Sequence, residues 1–244
     1  MMDALPVIEV FSSIQGEGPF VGVRQIFLRL PKCNLTCPYC DTRINVPGKL
    51  RIEKIPGSRQ FDLADNPVSI DELKKILKSF NVSQHHSVSI TGGEPLLWAD
   101  ELQELFLYIK EQKLKIYLET NGTLPNQLIK ILQWVDIISM DIKLPFDGQN
   151  FWDVHETFLL HSLSKQVFVK IVVDEKSVLQ DLIKARDLIS SVDSSILTIL
   201  QPVSQTRNIN APKPYQLLEW QSLYLRKLKD VRVIPQTHVY MGQL

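Results

Sequence analysis

The sequence predicts an α/β fold in which parallel strands form a barrel with helices on its outer face. From about Ser69 onward, short β-branched runs alternate with amphipathic helical segments, which is typical of parallel strands joined by crossover helices. Clusters of polar residues directly follow most of these runs, as happens where strand ends meet at the rim of a parallel barrel. With 244 residues, the chain has the length of one large domain.

The predicted strands are short, β-branched segments. They lie at 25–30, 87–91, 116–120, 136–142, 167–173, 195–201 and 231–234. The first helix begins at Ser69, where Glu72 completes a capping-box pattern ahead of Leu73 and Ile76. The other predicted helices lie at 100–112, 125–134, 150–163, 177–192 and 215–228. Strands and helices therefore alternate along most of the chain.

Residues 43–66 break this alternation and show no clear periodicity. Connections of this length are usually functional or mobile. The chain contains no sequence repeat, low-complexity tract or interdomain linker. We therefore predict a single domain over 1–244, with an insertion at about 43–66.

The composition argues against several classes of protein. Lys plus Arg and Asp plus Glu number 27 each, so there is no overall basic field to hold nucleic acid. Apolar residues make up 44% and charged residues 22%, as in ordinary globular proteins. No apolar run approaches membrane-spanning length, and the N-terminus lacks the pattern of a secretory signal. We expect a cytoplasmic protein that acts on a small molecule and binds neither nucleic acid nor a membrane.

Polar motifs occupy the carboxyl ends of six predicted strands. In chain order they are the cysteines of 33–40, Gly92-Gly93-Glu94, Glu119-Thr120-Asn121-Gly122, Asp141 with Lys143, Gln201-Pro202, and Gln236 with His238. Because the carboxyl ends of parallel barrel strands meet at one rim, we expect these motifs to form a single pocket.

All three cysteines of the chain, Cys33, Cys37 and Cys40, fall within eight positions. A zinc site normally takes four Cys or His ligands, and no second ligand pair follows at a comparable spacing. Packed or solvated roles are expected for the histidines on or beside predicted helices: His85, His86, His155 and His161. A cubic iron–sulfur cluster held by three thiolates leaves one iron open to a ligand that is not protein. The alternatives to such a cluster are a zinc site and a purely structural loop.

The spacing Cys33-x3-Cys37-x2-Cys40 resembles that of the radical S-adenosylmethionine (radical SAM) superfamily. The resemblance implies an incomplete TIM-type barrel, the radical SAM core, with a [4Fe–4S] cluster whose open iron binds S-adenosylmethionine. It also implies cofactor contacts beside the cysteines and at later strand ends, from Tyr39, Gly92, Gly93, Glu94, Glu119, Asn121, Ser139, Asp141, Lys143 and Gln201. The alternatives for these motifs are tight turns and a surface ion pair.

Further stretches resemble the 7-carboxy-7-deazaguanine synthase family. They are FSSIQGEG at 11–18, Asp41-Thr42 after the last cysteine, LQPV at 200–203 and PQTH at 235–238. This resemblance implies the radical contraction of 6-carboxy-5,6,7,8-tetrahydropterin to 7-carboxy-7-deazaguanine, with loss of ammonia, on the route to queuosine and other 7-deazapurines. It implies that S-adenosylmethionine is regenerated at the end.

The same resemblance implies a set of substrate contacts, namely Ile14, Gln15, Gly16, Glu17, Arg29, Thr91, Gln236 and His238. By chemistry, the amide of Gln15 suits a pterin edge and the planar fork of Arg29 suits a carboxylate. Thr42 is implied as a ligand of Mg²⁺, a hard ion that takes few protein ligands. The alternatives are turn roles for Glu17 and Thr42, and a core or surface role for His238.

Two other functions stay open. The cysteine spacing and residues 139–143 also suit an enzyme that generates a glycyl radical on another protein. A non-catalytic module that holds zinc and presents a protein interface is the second. Family members suggest a homodimer, and the implied cluster requires an electron donor such as flavodoxin or ferredoxin.

Overall fold

The structure, a computed structural model, describes residues 4–40, 45–204 and 209–243. The strands of these ranges are β1 (Ala4–Leu5), β2 (Glu9–Ile14), β3 (Arg24–Leu30), β4 (Lys49–Glu53), β5 (Phe61–Asp65), β6 (Val68–Ser69), β7 (Ser87–Gly92), β8 (Lys115–Thr120), β9 (Ile137–Asp141), β10 (Gln166–Val173), β11 (Thr198–Pro202) and β12 (Val231–Val233). The α-helices are α1 (Ile70–Ser79), α2 (Ala99–Glu111), α3 (Pro125–Ile131), α4 (Trp152–Ser162), α5 (Leu179–Asp193), α6 (Pro214–Leu225) and α7 (Thr237–Tyr240).

Ten of these strands form one open sheet, in the order β12-β11-β10-β9-β8-β7-β3-β2-β4-β5. The seven strands from β12 to β3 are all parallel to their neighbours. The sheet order does not close on itself, and this confirms the predicted α/β fold with an incomplete barrel. The carboxyl ends of the seven parallel strands share one rim.

Helix α1 shows how the outer helices pack on the sheet. Its N-cap is Ser69, whose side chain accepts a hydrogen bond from the backbone N–H of Glu72, as the sequence predicts. Leu73, Ile76 and Leu77 fall on one helical face and are buried, while the lysines between them stay toward solvent. The apolar side chains of the helices and the strands form one continuous core between the two layers.

The segment without sequence periodicity contains a β-hairpin, which the sequence did not predict. Strands β4 and β5 pair antiparallel, and β4 lies parallel to β2 through Glu9–Arg51 and Val10–Ile52. Burial does not alternate along either strand: two half-buried residues, Arg51 and Ile52, follow each other in β4, and two exposed ones, Asp62 and Leu63, in β5. The hairpin is therefore stabilised by the pairing of β4 with the edge of β2, and not by an alternating hydrophobic pattern of its own.

The C-terminal segment packs against the turn after β2. The backbone N–H of Thr237, at the start of α7, donates to the carbonyl oxygen of Gly16 at 2.8 Å. No helix within the described ranges combines the length and apolar character needed to cross a bilayer.

Candidate active site

A cavity of about 490 Å³ opens at the rim formed by the strand ends. It is lined by fourteen of the residues that the sequence singled out, namely Glu17, Cys33, Cys37, Tyr39, Cys40, Thr91, Gly92, Gly93, Glu119, Asn121, Asp141, Lys143, Gln201 and Gln236. The structure therefore brings most of the predicted motifs into one pocket.

Other residues named from the sequence lie off the cavity wall or outside the described ranges. Ile14, Gln15, Gly16, Arg29, Glu94, Ser139 and His238 do not line the cavity. Thr42 lies outside the described residues. Arg29 pairs with the buried carboxylate of Glu9 at 3.0 Å, and Ser139 hydrogen-bonds Tyr117 beneath the site.

The cysteine loop follows directly on β3. The N–H of Leu35 donates to Cys33 Sγ at 3.4 Å, and the N–H of Cys40 donates to the carbonyl of Cys37 at 3.1 Å. Burial raises the pKa of the Cys33 and Cys37 thiols, and the negative charge of the neighbouring thiolates adds to this effect. A cation that binds the thiolates would offset both the effect of burial and the repulsion between neighbouring thiolates.

The turn Gly92-Gly93-Glu94 fixes the start of this loop. The N–H groups of Gly93 and Glu94 donate to the carbonyls of Leu30 and Lys32, each at 2.8 Å. Gly92 has a φ of +111°, a conformation that residues with a side chain rarely adopt. These hydrogen bonds join the end of β7 to the backbone that leads into Cys33.

Glu94 itself is fully buried and ties two strand ends together. Its carboxylate accepts hydrogen bonds from Thr120 Oγ1 at 2.8 Å and from the backbone N–H of Asn121 at 2.8 Å. Burial raises the pKa of Glu94 to about 7, against the effect of these donors. Glu94 is not among the residues that line the cavity, but Thr120 and Asn121, which its carboxylate bonds, both are.

Asn121 reaches from the end of β8 to the cysteine loop. Its Nδ2 lies 3.8 Å from Cys33 Sγ and 2.9 Å from Asn34 Oδ1, so the amide can donate to both. Nε2 of the buried His155 lies 3.0 Å from the carbonyl oxygen of Asn121. Burial lowers the pKa of His155 to about 4, so the imidazole is neutral at pH 7.

A chain of buried charges crosses the floor of the cavity. Asp141 lies 2.7 Å from Lys143 Nζ and 3.3 Å from Lys170 Nζ, and Lys170 also pairs with Glu17. The Lys143 ammonium lies 5.5 Å from the ring centre of Tyr39. This contact connects the row of buried charges to the cysteine loop. Sequence reasoning missed Lys170, although a single lysine within the apolar strand QVFVKIVV was a usable signal.

Glu119 accepts hydrogen bonds from the N-terminal segment and from the end of β7. Gln15 Nε2 donates to it at 3.0 Å and Thr91 Oγ1 at 2.8 Å. Burial raises the pKa of Glu119, and the neighbouring Lys170 opposes that shift. Gln15 thus acts on the cavity through Glu119, and its own side chain is 3% exposed.

Comparison with known proteins places this geometry in a family. The family model described as Radical SAM superfamily matches residues 28–157. A 7-carboxy-7-deazaguanine synthase of Geobacter sulfurreducens is 45% identical over 97% of this chain and 96% of its own length. One from Methanocaldococcus jannaschii is 32% identical over 97% of this chain and 99% of its own length. The chain belongs to the 7-carboxy-7-deazaguanine synthase family of the radical SAM superfamily.

A solved structure agrees at the level of the fold. A radical SAM methyltransferase from Sphaerobacter thermophilus superposes with a TM-score of 0.58 at 9% identity, over 87% of this chain. The chain spans 66% of that protein's length.

The residues on the cavity wall fit a [4Fe–4S] cluster, the cofactor that the superfamily implies. The three thiols of the chain line one cavity, and thiolate is the ligand that iron–sulfur clusters prefer. Within the described ranges, no three Cys, His, Asp or Glu side chains lie close enough together to hold a single metal ion.

The cavity also fits S-adenosylmethionine. Gln201 Oε1 is a buried acceptor without a hydrogen-bond donor among the described residues, whereas Asp141 Oδ1 has the Lys170 ammonium at 3.3 Å. Unpaired buried acceptors are costly, and the ammonium and ribose hydroxyl groups of S-adenosylmethionine would supply donors to such atoms.

Proposed function

We propose that this protein catalyses the conversion of 6-carboxy-5,6,7,8-tetrahydropterin to 7-carboxy-7-deazaguanine with loss of ammonia, in queuosine and 7-deazapurine biosynthesis. The main support for this proposal is that the N-terminal segment and the C-terminal segment meet at the cavity. Gln236 Nε2 donates to Glu17 Oε1 at 3.0 Å, and Thr237 donates to the carbonyl of Gly16. These segments carry the sequence features that distinguish the family from other radical SAM enzymes.

Cys33, Cys37 and Cys40 would hold the [4Fe–4S] cluster, with Asn121 donating to the sulfur of Cys33. When bound, the cluster supplies the electron that cleaves S-adenosylmethionine to a 5′-deoxyadenosyl radical. We assign the cofactor contacts to Tyr39, Gly92, Gly93, Asp141, Lys143 and Gln201, which line the cavity together. Glu94 and Ser139 would act from behind this wall.

We assign the pterin to the side of the cavity that carries Glu17, Thr91, Glu119 and Gln236. Carboxylate and amide side chains match the fixed donors and acceptors of a pterin edge. Burial opposes ionisation of Glu17, but the charge and hydrogen bond of Lys170 outweigh it and lower the pKa to about 2. Glu17 would therefore accept hydrogen bonds from the substrate rather than remove a proton at neutral pH.

His238 and Arg29, two predicted substrate contacts, do not line the cavity. Nδ1 of His238 lies well under 3.0 Å from the position that a β-carbon on Gly16 would take, so the imidazole packs against this glycine beside the cavity. Arg29 Nη1 is paired with Glu9 at 3.0 Å, so a role in binding the substrate carboxylate would use the other N–H groups of the guanidinium.

The remaining parts of the proposal rest on the family resemblance. Thr42 would contribute its hydroxyl to a Mg²⁺ ion that also binds the substrate carboxylate and water. The protein would act as a homodimer in the cytoplasm and receive electrons from a flavodoxin or a ferredoxin.

Product analysis tests the proposed function. Protein reconstituted without oxygen and reduced with dithionite is incubated with S-adenosylmethionine and the carboxypterin, beside a Cys37→Ala variant. We expect 7-carboxy-7-deazaguanine and ammonia from the wild-type protein alone, without net consumption of S-adenosylmethionine. Absence of the deazaguanine, with a radical formed on a partner protein instead, would indicate a glycyl-radical activating enzyme.

A further inference from the structure

Lys170 is a buried cation at the junction of three distant parts of the chain. It lies on β10, opposite Asp141 in the register with β9, and its side chain is 7% exposed. Its ammonium pairs with Asp141 at 3.3 Å and with Glu17 from the N-terminal segment. Glu17 in turn accepts from Gln236 near the C-terminus at 3.0 Å.

An ammonium buried among apolar strand residues is unfavourable unless it is paired. Phe168, two residues before Lys170 and on the same face of β10, is 2% exposed. The charged groups around it are the carboxylates of Glu17, Asp141 and Glu119, with Lys143 beyond Asp141 and His238 near Glu17. Burial opposes the positive charge, but the carboxylates raise the pKa of Lys170 well above its ordinary value, so it stays charged at neutral pH.

Glu17 depends on Lys170 for its position. It follows the end of β2 in a short turn, where Gln15 Oε1 accepts from its backbone N–H at 3.0 Å. Its carboxylate is held by Lys170 on one side and by Gln236 on the other. Without the ammonium, the carboxylate would be buried beside Glu119 with one amide donor. Like-charge repulsion and burial would then favour its protonation or its rotation out of the cavity.

We propose that Lys170 is a positioning residue that holds the carboxylate of Glu17 ionised and oriented toward the pterin. This inference rests on the proposed function. Asp141 pairs with Lys143 at 2.7 Å as well as with Lys170 at 3.3 Å, so we expect the cofactor side of the cavity to keep an ion pair when Lys170 is removed. Lys170 therefore affects binding of the pterin more than binding of S-adenosylmethionine.

A double-mutant cycle tests this inference on the reconstituted enzyme. The variants are Lys170→Met, Glu17→Gln and the double variant, with Lys176→Met as a control at an exposed lysine just beyond β10. We expect Lys170→Met to raise the KM for the pterin by about 100-fold, as loss of one partner of a buried ion pair does. Its iron content and its affinity for S-adenosylmethionine stay near those of the wild type.

The double variant separates positioning from a general structural role. The neutral amide that Glu17→Gln introduces needs no cation, so the double variant should bind the pterin better than Lys170→Met alone. The KM of Lys170→Met should also become pH-dependent in the acid to neutral range, because Glu17 loses the cation that keeps its pKa low. If Lys170→Met loses iron as well, the KM for the pterin is compared between Lys170→Met and the double variant, and a lower KM in the double variant supports the positioning role.

An unchanged KM in Lys170→Met, or a double variant no better than the single one, would overturn the inference. Failure of the wild-type protein to convert the pterin would instead overturn the proposed function. Normal conversion by both the wild type and Lys170→Met would overturn only the role of Lys170.

Discussion

A β-carbon on Gly93 would collide with the carbonyl oxygen of Lys32, well inside 3.0 Å. No real contact is this short, and the atom it meets is backbone, so the loop that carries Cys33 would have to move. The Gly93→Ala variant is therefore expected to lose at least about tenfold in activity, because a shift of about 1 Å at a reacting centre has that effect or more.

Iron and sulfide analysis after anaerobic reconstitution checks this expectation. We expect Gly93→Ala to hold less cluster than the wild-type protein. Gly48→Ala is the matched control, since a β-carbon at Gly48 meets no atom within 4 Å. Wild-type cluster content and activity in Gly93→Ala would show that the turn does not hold the cysteine loop.

The amide of Asn121 lies 3.8 Å from Cys33 Sγ, and this contact predicts a redox effect. A donor to a ligating sulfur stabilises the reduced cluster, so Asn121→Ala should lower its reduction potential. One hydrogen bond corresponds to a shift on the order of 50 mV. The measurement is a potentiometric titration without S-adenosylmethionine, with the exposed Asn126→Ala as control. Equal potentials in both variants would refute a role for this contact.

The buried imidazole of His155 predicts a pH dependence of stability. The pKa of His155 falls to about 4 from its ordinary value of 6.5, because burial disfavours the charged ring. As the pH falls from 6.5 toward 4, the unfolded chain takes up this proton first, so the folded state loses stability. Across this interval the wild type should lose about 3 kcal/mol more than His155→Gln.

Denaturant unfolding of the two proteins at several pH values measures this difference. Glu94 also titrates near this range, but it is present in both proteins and cancels in the comparison. His161→Gln, on the same helix, is the control. A pH-independent difference between the wild type and His155→Gln would contradict a neutral, buried His155.

The hairpin of β4 and β5 contacts the C-terminal segment, and this contact predicts a role in substrate binding. Arg59, between β4 and β5, donates to the carbonyl oxygen of Gly242 at 2.6 Å. Ser13 on β2 also holds this segment, since its Oγ donates to Gln243 Oε1 at 3.1 Å. The same segment supplies Gln236 and Val239 to the cavity wall. Arg59 has a φ of +57°, so asparagine, which tolerates this conformation, removes the guanidinium with little strain.

We expect Arg59→Asn to raise the KM for the pterin by about threefold to tenfold, the effect of one hydrogen bond. Steady-state kinetics give this value. Lys54→Ala, which removes another exposed cation of the hairpin, should leave the KM unchanged, since Lys54 pairs with Asp62 within the hairpin at 2.8 Å. A normal KM in Arg59→Asn would show that the hairpin does not position the tail.

The sequence predicted the parallel strands well because their β-branched runs are buried on both faces and stand out from the amphipathic helices between them. Each predicted strand is present, with its ends within three residues of the observed bounds. The cavity could be predicted for the same reason, since strand ends in a parallel sheet share one rim.

The features that the sequence did not reveal depend on tertiary partners. The β4–β5 hairpin forms against the edge of β2, and its own residues carry no alternating pattern. Glu94 follows a glycine pair, and only the fold shows that its buried carboxylate accepts hydrogen bonds from Thr120 and Asn121 at the next strand end. The role of Lys170 depends on partners that are distant in the sequence, such as Glu17, which lies 153 residues away.

The chemistry proposed for the cavity requires that three thiolates hold a four-iron cluster whose remaining iron binds S-adenosylmethionine. Iron and sulfide analysis of the reconstituted protein, followed by EPR of the reduced protein with and without S-adenosylmethionine, tests this requirement. We expect about four irons and four sulfides per chain, and an EPR signal that changes when S-adenosylmethionine is added. One zinc without sulfide, or a cluster signal that S-adenosylmethionine leaves unchanged, would rule this chemistry out.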